Sequence, residues 1–183
     1  IMAEYSLHSN SDEPESLSAK IISVYELLAD STLKIPQYQR PYKWTGKHIN
    51  QLFSDISIHN GRSAYRLGTI VFHKDGDKSN IVDGQQRTIS LLLAARALIN
   101  ERKDRQFERK ELQERLEKLD KAMVNPIFSS EISQKNIHNN YLEVARIVSR
   151  ADFTEAHIDF FLNKCQVVVV VLTDVSEAFQ FFD

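Results

Sequence analysis

Asn80-Ile81-Val82-Asp83-Gly84-Gln85-Gln86-Arg87-Thr88 begins as a short apolar strand, breaks at an Asp-Gly pair and runs into an apolar-periodic segment, Ile89 to Ile99. That periodicity predicts a buried helix. The chain therefore turns abruptly from strand to helix at Gly84, where a side chain would obstruct a close backbone approach. Unpaired amides opening the helix, with Arg87 beside them, would suit an anion, because amide donors and the helix dipole both favour negative charge there. Phosphate is the leading candidate. An ordinary turn whose Arg pairs with a carboxylate elsewhere accounts for the same nine residues equally well.

Upstream, Tyr65 to His73 reads as a strand and Lys74 to Ser79, with Asp75-Gly76, as a turn, so the central strand closes a hairpin. Before it, Ile49, Leu52, Phe53 and Ile56 recur at helical spacing behind Thr45, a suitable N-cap. Pro36 to Thr45 is a loop, since each proline removes a donor and restricts the residue before it. Thr32 to Ile35 is a candidate short strand. Ser18 to Asp30 shows a helical stripe of Ile21, Ile22, Tyr25, Leu27 and Leu28.

Downstream, Glu101 to Lys121 is densely and almost evenly charged, with Leu112, Leu116, Leu119 and Met123 on one stripe. It reads as one solvated helix resting on the core by an edge and stopped at Pro126. Ile137, Tyr141, Val144 and Val148 predict another helix; Ile158, Phe161 and Leu162 predict one more. Cys165 to Leu172 reads as a strand buried on both faces. Asp174 and Glu177 have capping-box spacing before a last helix from Val175. Phe179, Phe181 and Phe182 then end the chain with nothing to bury them, which predicts a domain truncated at its C-terminus.

The chain's 183 residues are enough for one well-filled core, and 42% hydrophobic with 26% charged residues are proportions of a globular protein. A net charge of −2 supplies no whole-molecule argument for nucleic acid or membrane. The lone Cys165 excludes an internal disulfide framework. The longest apolar run, Val167 to Leu172, is too short to span a bilayer, and the acidic, Ser-rich start has no apolar core of a signal peptide. These features predict a cytoplasmic protein without membrane partners. The expected organisation is a flexible lead-in over 1–17 and a single domain over 18–183, with a helical insertion at about 101–163.

Two clusters could carry chemistry: the Asp83 to Arg87 turn and the loop Gln37-Tyr38-Gln39-Arg40-Pro41-Tyr42-Lys43-Trp44. The loop mixes flat aromatic faces with cations, a combination that can stack a base and hold a phosphate. A proline-ordered loop using Tyr38 and Trp44 as core plugs is the plainer alternative.

Ile35-Pro-x-Tyr38-Gln39-Arg40-Pro-Tyr42-x-Trp44, Leu52-x-x-Asp55-Ile56, Leu67-Gly68-x-Ile70-Val71 and Ile81 to Arg87 together resemble the N-terminal domain of the GmrSD-type modification-dependent restriction enzymes. The match in order and spacing covers roughly residues 20 to 100. The resemblance implies an α+β fold similar to ParB and sulfiredoxin, a small mixed sheet with flanking helices and an added helical segment. It also implies a role in defence against phage DNA, with NTP and Mg2+ bound and hydrolysed, and often control of an HNH-type nuclease. DNA is then a partner, directly or through a nuclease domain or subunit, and a homo-oligomer is compatible with the sequence.

Carried over by that resemblance, Gly84 would admit phosphate, the amides of Gln85 and Gln86 would donate to it, and Arg87 would neutralise it. Arg40 would reach in as a second cation, with Tyr38, Gln39 and Thr88 completing the nucleotide site. Asp83 would hold magnesium or, alternatively, cap the turn. Gln86 or Gln39 would orient an attacking water. For the competing class, a non-catalytic module sensing modified DNA, the contacts would be Arg40, Lys43 and Trp44. Asp55 could join Asp83 at a metal, although its place beside Ile56 suits a helix-surface role better.

Other chemistries fail on the residues. Sulfiredoxin activity needs a Cys where Gln85 stands, and a Walker A loop needs Gly-Lys-Ser/Thr after the turn. His138-Asn139-Asn140 lacks the strand and metal context of an HNH nuclease and reads as a coincidence on a surface helix. No histidine pair has zinc-ligand spacing with Cys165.

Overall fold

The computed structural model describes residues 17–36, 40–124 and 130–173. Its frame is a five-stranded mixed sheet in the order β1-β5-β3-β4-β2. The strands are β1 (Leu17–Ser23), β2 (Leu33–Lys34), β3 (Tyr65–Asp75), β4 (Lys78–Asp83) and β5 (Cys165–Leu172). β3 and β4 form the expected antiparallel hairpin, whereas β5 returns from the far end of the chain to lie parallel to β3. The helices are α1 (Val24–Leu28), α2 (Gly46–His59), α3 (Gln85–Arg102), α4 (Lys110–Ala122), α5 (Glu131–Val148) and α6 (Glu155–Asp159), and a π-turn at Phe160–Lys164 leads into β5. The class is α+β, as the sequence predicts.

Pairing partners explain β5. Cys165, Val167 and Val169 enter the main core under the helices, while Val170 and Leu172 join Val71 and Val82 in a smaller cluster on the other face. A strand flanked by neighbours and covered on both sides needs apolar residues throughout. α2 buries Ile49, Leu52, Phe53 and Ile56, the stripe legible in the sequence.

Two expectations are overturned. Residues 18–23 are strand rather than helix, because β5 offers a complete antiparallel partner from Leu17 opposite Leu172 to Ser23 opposite Gln166. Helix begins only at Val24, where Ser23 and Glu26 form a capping box. A short apolar run does not declare its own period; the remote partner decides it.

The charged stretch after Glu101 is likewise not one helix. α3 ends at Arg102 and α4 starts at Lys110. Arg102 is only 8% exposed, and its guanidinium donates to the carbonyls of Val148 and Phe153, with Nη2 2.7 Å from Val148 O. It thereby satisfies an orphan carbonyl at the end of α5. The Glu155 carboxylate accepts from the amides of Glu108 and Arg109 at the start of α4, and those bonds lead in holding its pKa below the usual range. Tertiary bonds, not local propensity, break this run. Pro126 and the helix expected from Val175 lie outside the described residues. Among the described residues, no helix is long and apolar enough to cross a membrane.

Replacing Arg102 with Met should leave the Val148 and Phe153 carbonyls buried without donors. The expected cost is about 1–3 kcal/mol, read as a lower urea midpoint at unchanged slope.

Candidate functional site

Gly84 carries φ +90° as the N-cap of α3, a conformation L side chains rarely adopt. A Cβ there would stand 3.0 Å from Ile70 Cγ1 and 3.2 Å from both Ile70 Cα and Thr69 O. The close approach predicted from sequence is therefore made by β3. Thr88 closes the turn from within: its amide and hydroxyl both donate to Gly84 O, at 3.0 and 2.9 Å. Expected to contact nucleotide, Thr88 is 0% exposed and faces the core, so it lines no surface site.

α3 starts four residues before the apolar pattern that opens at Ile89, so Gln85, Gln86 and Arg87 form its first turn. Gly84 has no side chain to cap that turn, and no acidic residue lies in it. The first amides therefore open a helix whose body is largely buried, a setting that favours an anion.

The two glutamines straddle the loop. Buried Gln85 donates from Nε2 to Pro36 O at 3.3 Å. Gln86 donates to Pro41 O at 3.0 Å and accepts from the Lys43 amide at 2.7 Å. Both ends of the Gln86 amide are thus engaged in holding the loop, so the side chain expected to turn a water is a clamp here. Residues 36 and 41–43 are drawn to the first turn of α3. Arg40 projects exposed between these anchors; Tyr38 and Gln39 lie outside the described residues.

Tyr42 is the plug of this loop. It is 0% exposed, and its hydroxyl bonds to Ser90 Oγ on α3 and Asn140 Nδ2 on α5, both at 2.8 Å. Ser133 Oγ accepts from its amide and Asn136 donates to its carbonyl, each at 2.9 Å. Burial raises the Tyr42 pKa against the lowering effect of its two side-chain partners. Trp44 is half-buried and stacks on His48, centroids 5.2 Å apart, while its carbonyl accepts from Asn140. The plainer alternative for the loop names Tyr38 and Trp44 as plugs; Trp44 packs against the core, Tyr38 lies outside the described residues, and Tyr42 is the one that alternative misses. The available signal was Ser133, Asn140, Val144 and Val148: two small polar residues inside an otherwise apolar helical stripe, each needing a buried partner. Asn140 is accordingly a core residue rather than part of a surface coincidence, although His138 and Asn139 are exposed.

Arg87 departs from the loop. A Cβ on Gly68 would lie 3.0 Å from its Cζ, so the guanidinium rests on the bare backbone of β3. Its Nε is buried without a hydrogen-bond partner, and among the described residues Arg87 forms no ion pair. The ordinary-turn alternative required such a carboxylate. Asp83 is exposed at the end of β4, and Lys43 is exposed on the loop.

Among the described residues no group of three His, Cys, Asp or Glu is placed to hold a metal unaided. Cys165 is buried and its thiol pKa is pushed up to about 12, which leaves it unreactive at neutral pH. A cleft lined by Ile99, Lys103, Phe107, Leu116 and Glu117 lies roughly 20 Å along α3 from the turn. No polar group of the turn reaches it.

A family model described as GmrSD restriction endonuclease, N-terminal domain, matches residues 24–183. No curated protein matches the chain.

Gly84→Ala should force both the positive φ and a clash with Ile70, destabilising the domain by about 1–3 kcal/mol or more. Tyr42→Phe should cost about 1 kcal/mol, with the loop amides exchanging hydrogen faster than those of β5. Thermal unfolding and hydrogen exchange, respectively, check the two outcomes.

Proposed function

Because the chain belongs to the GmrSD restriction endonuclease N-terminal domain family, and so to a restriction endonuclease system, we propose that it binds and hydrolyses a nucleoside triphosphate to govern DNA cleavage. The observation that carries this reading is the uncapped first turn of α3 beside an Arg87 whose buried Nε has no partner. A buried donor left unsatisfied costs about 1–3 kcal/mol, and the partly exposed Arg87 beside an open helix turn favours an anionic ligand.

In this reading the amides of Gln85 and Gln86 donate to phosphate oxygens and Arg87 offsets their charge. The glutamine side chains hold the 36–43 loop over the turn, which places Arg40 to act as a second cation. Gly84 sets the geometry of the turn against Ile70. Phosphoryl transfer needs chiefly positioning and charge stabilisation, so a site with neither His nor Lys is chemically adequate. The donor set suits magnesium, which takes one or two carboxylates and completes its shell with phosphate oxygens and water. Asp83 is the carboxylate at the turn. Magnesium bound with the nucleotide would neutralise charge on the phosphoryl oxygens.

Exposed Arg40 and Lys43 on one loop favour a second reading, a module that contacts DNA without turnover. Fold class alone does not separate the two.

Arg87→Ala should weaken binding of β,γ-imido nucleoside triphosphates with magnesium by about tenfold to a hundredfold, at an unchanged unfolding midpoint. Titration calorimetry reads the affinity. Wild-type protein that neither binds nor hydrolyses any of the four ribonucleotides would overturn the proposal. Salt-dependent DNA affinity lost in Arg40→Ala/Lys43→Ala, with no nucleotide effect, would establish the second reading.

A further inference from the structure

Where β3 pairs with β5, Tyr65 stands opposite Cys165 and Arg66 opposite Gln166, but Gly68 stands opposite Val167. Leu67 is the extra residue of a bulge. In an unbroken strand residues 65 and 68 would face opposite sides; the bulge returns them to the same one. That side carries Cys165 and Val167 and is covered by the helices. Tyr65 and the glycine beneath the Arg87 guanidinium are therefore neighbours on one face.

α2 closes the other flank. The His59 ring lies flat on the Tyr65 ring, centroids 4.0 Å apart and planes 10° from parallel. His59 Nδ1 is 2.7 Å from the carbonyl oxygen of Asp55, one turn earlier on the same stripe. Asp55 Oδ1 accepts from Gln51 at 2.8 Å, the helix-surface role expected of it, yet Asp55 forms no ion pair among the described residues. Burial first and Asp55 next raise the Tyr65 pKa, while Arg87 and Arg62 pull against them. Opposite charges on Asp55 and Arg87 thus both act on one phenol without pairing with each other. At neutral pH that phenol keeps its proton and is a donor.

We propose that Tyr65 and Asp55 complete the site built on Arg87. The Tyr65 hydroxyl donates to the same phosphoryl group as Arg87, and Asp55 supplies a second carboxylate for the divalent cation, across Gly68 from the turn. This assignment rests on the nucleotide reading and extends it to a wall contributed by α2 and β3. It gives the bulge and Gly68 a purpose: they make room for the guanidinium at the level of the phenol. It also gives a use to two opposite charges that flank Tyr65 without forming an ion pair, since a cation and a phosphate would stand between them.

The test uses the whole chain titrated with β,γ-imido nucleoside triphosphates, with and without magnesium. Tyr65→Phe keeps the stack on His59, and Asp55→Asn keeps an acceptor for Gln51, so both should unfold at the wild-type midpoint. Tyr65→Phe is expected to bind about tenfold more weakly in either condition, the weight of one hydrogen bond to a charged group. Asp55→Asn should bind as wild type without magnesium but lose most of the gain that magnesium gives. Wild-type affinity in the first variant, or a wild-type magnesium response in the second, would overturn that residue's assignment if Arg87→Ala remained deficient. An Arg87→Ala variant that bound normally would instead remove the nucleotide reading itself.

Discussion

The contact of Gly84 with Ile70 and Thr69 sets the position of everything around the site. A left-handed residue without a side chain lets β4 turn into α3 while lying against β3, and the direction of α3 follows from that turn. With the helix axis fixed, three successive residues point three ways. Gln85 and Gln86 reach the two shoulders of the 36–43 loop, and Arg87 falls on Gly68. One backbone constraint thus organises the loop, the helix opening and the bulged strand together.

The loop is held from below as well. Tyr42 ties α3 to α5 through Ser90 and Asn140, and its backbone is bracketed by Ser133 and Asn136. Buried polar networks of this kind are costly unless every member is satisfied, and here each member has a partner. They fix the main chain of residues 41–44 while Arg40 and Lys43 stay exposed. α5 therefore does more than pad the core, since it holds one side of the loop that the first turn of α3 holds from the other.

Arg87 is the exception to this satisfaction. Its neighbours on β3 give it space rather than partners, and its opposite charge on α2 stays apart from it. Among the described residues the other buried side-chain polar atoms are engaged, so this exception asks for an account, and the proposed anion supplies one.

The sequence by itself determined the α+β class, the β3–β4 hairpin, the apolar stripe of α2, the doubly buried β5 and the strand–Gly–helix turn, because each is written in local periodicity or in a residue with special backbone freedom. It also carried four linked motifs that resemble the family whose model matches residues 24–183. Only the tertiary structure decided that residues 18–23 are strand, since their partner lies about 150 residues away, and that the charged stretch breaks where Arg102 turns inward. It alone showed that Thr88 faces the core, that Gln86 is a clamp and that Tyr42 is the plug. The division has one physical cause. A side chain's period is a property of its own segment, whereas its hydrogen-bond partner and its exposure belong to whatever the rest of the chain brings alongside.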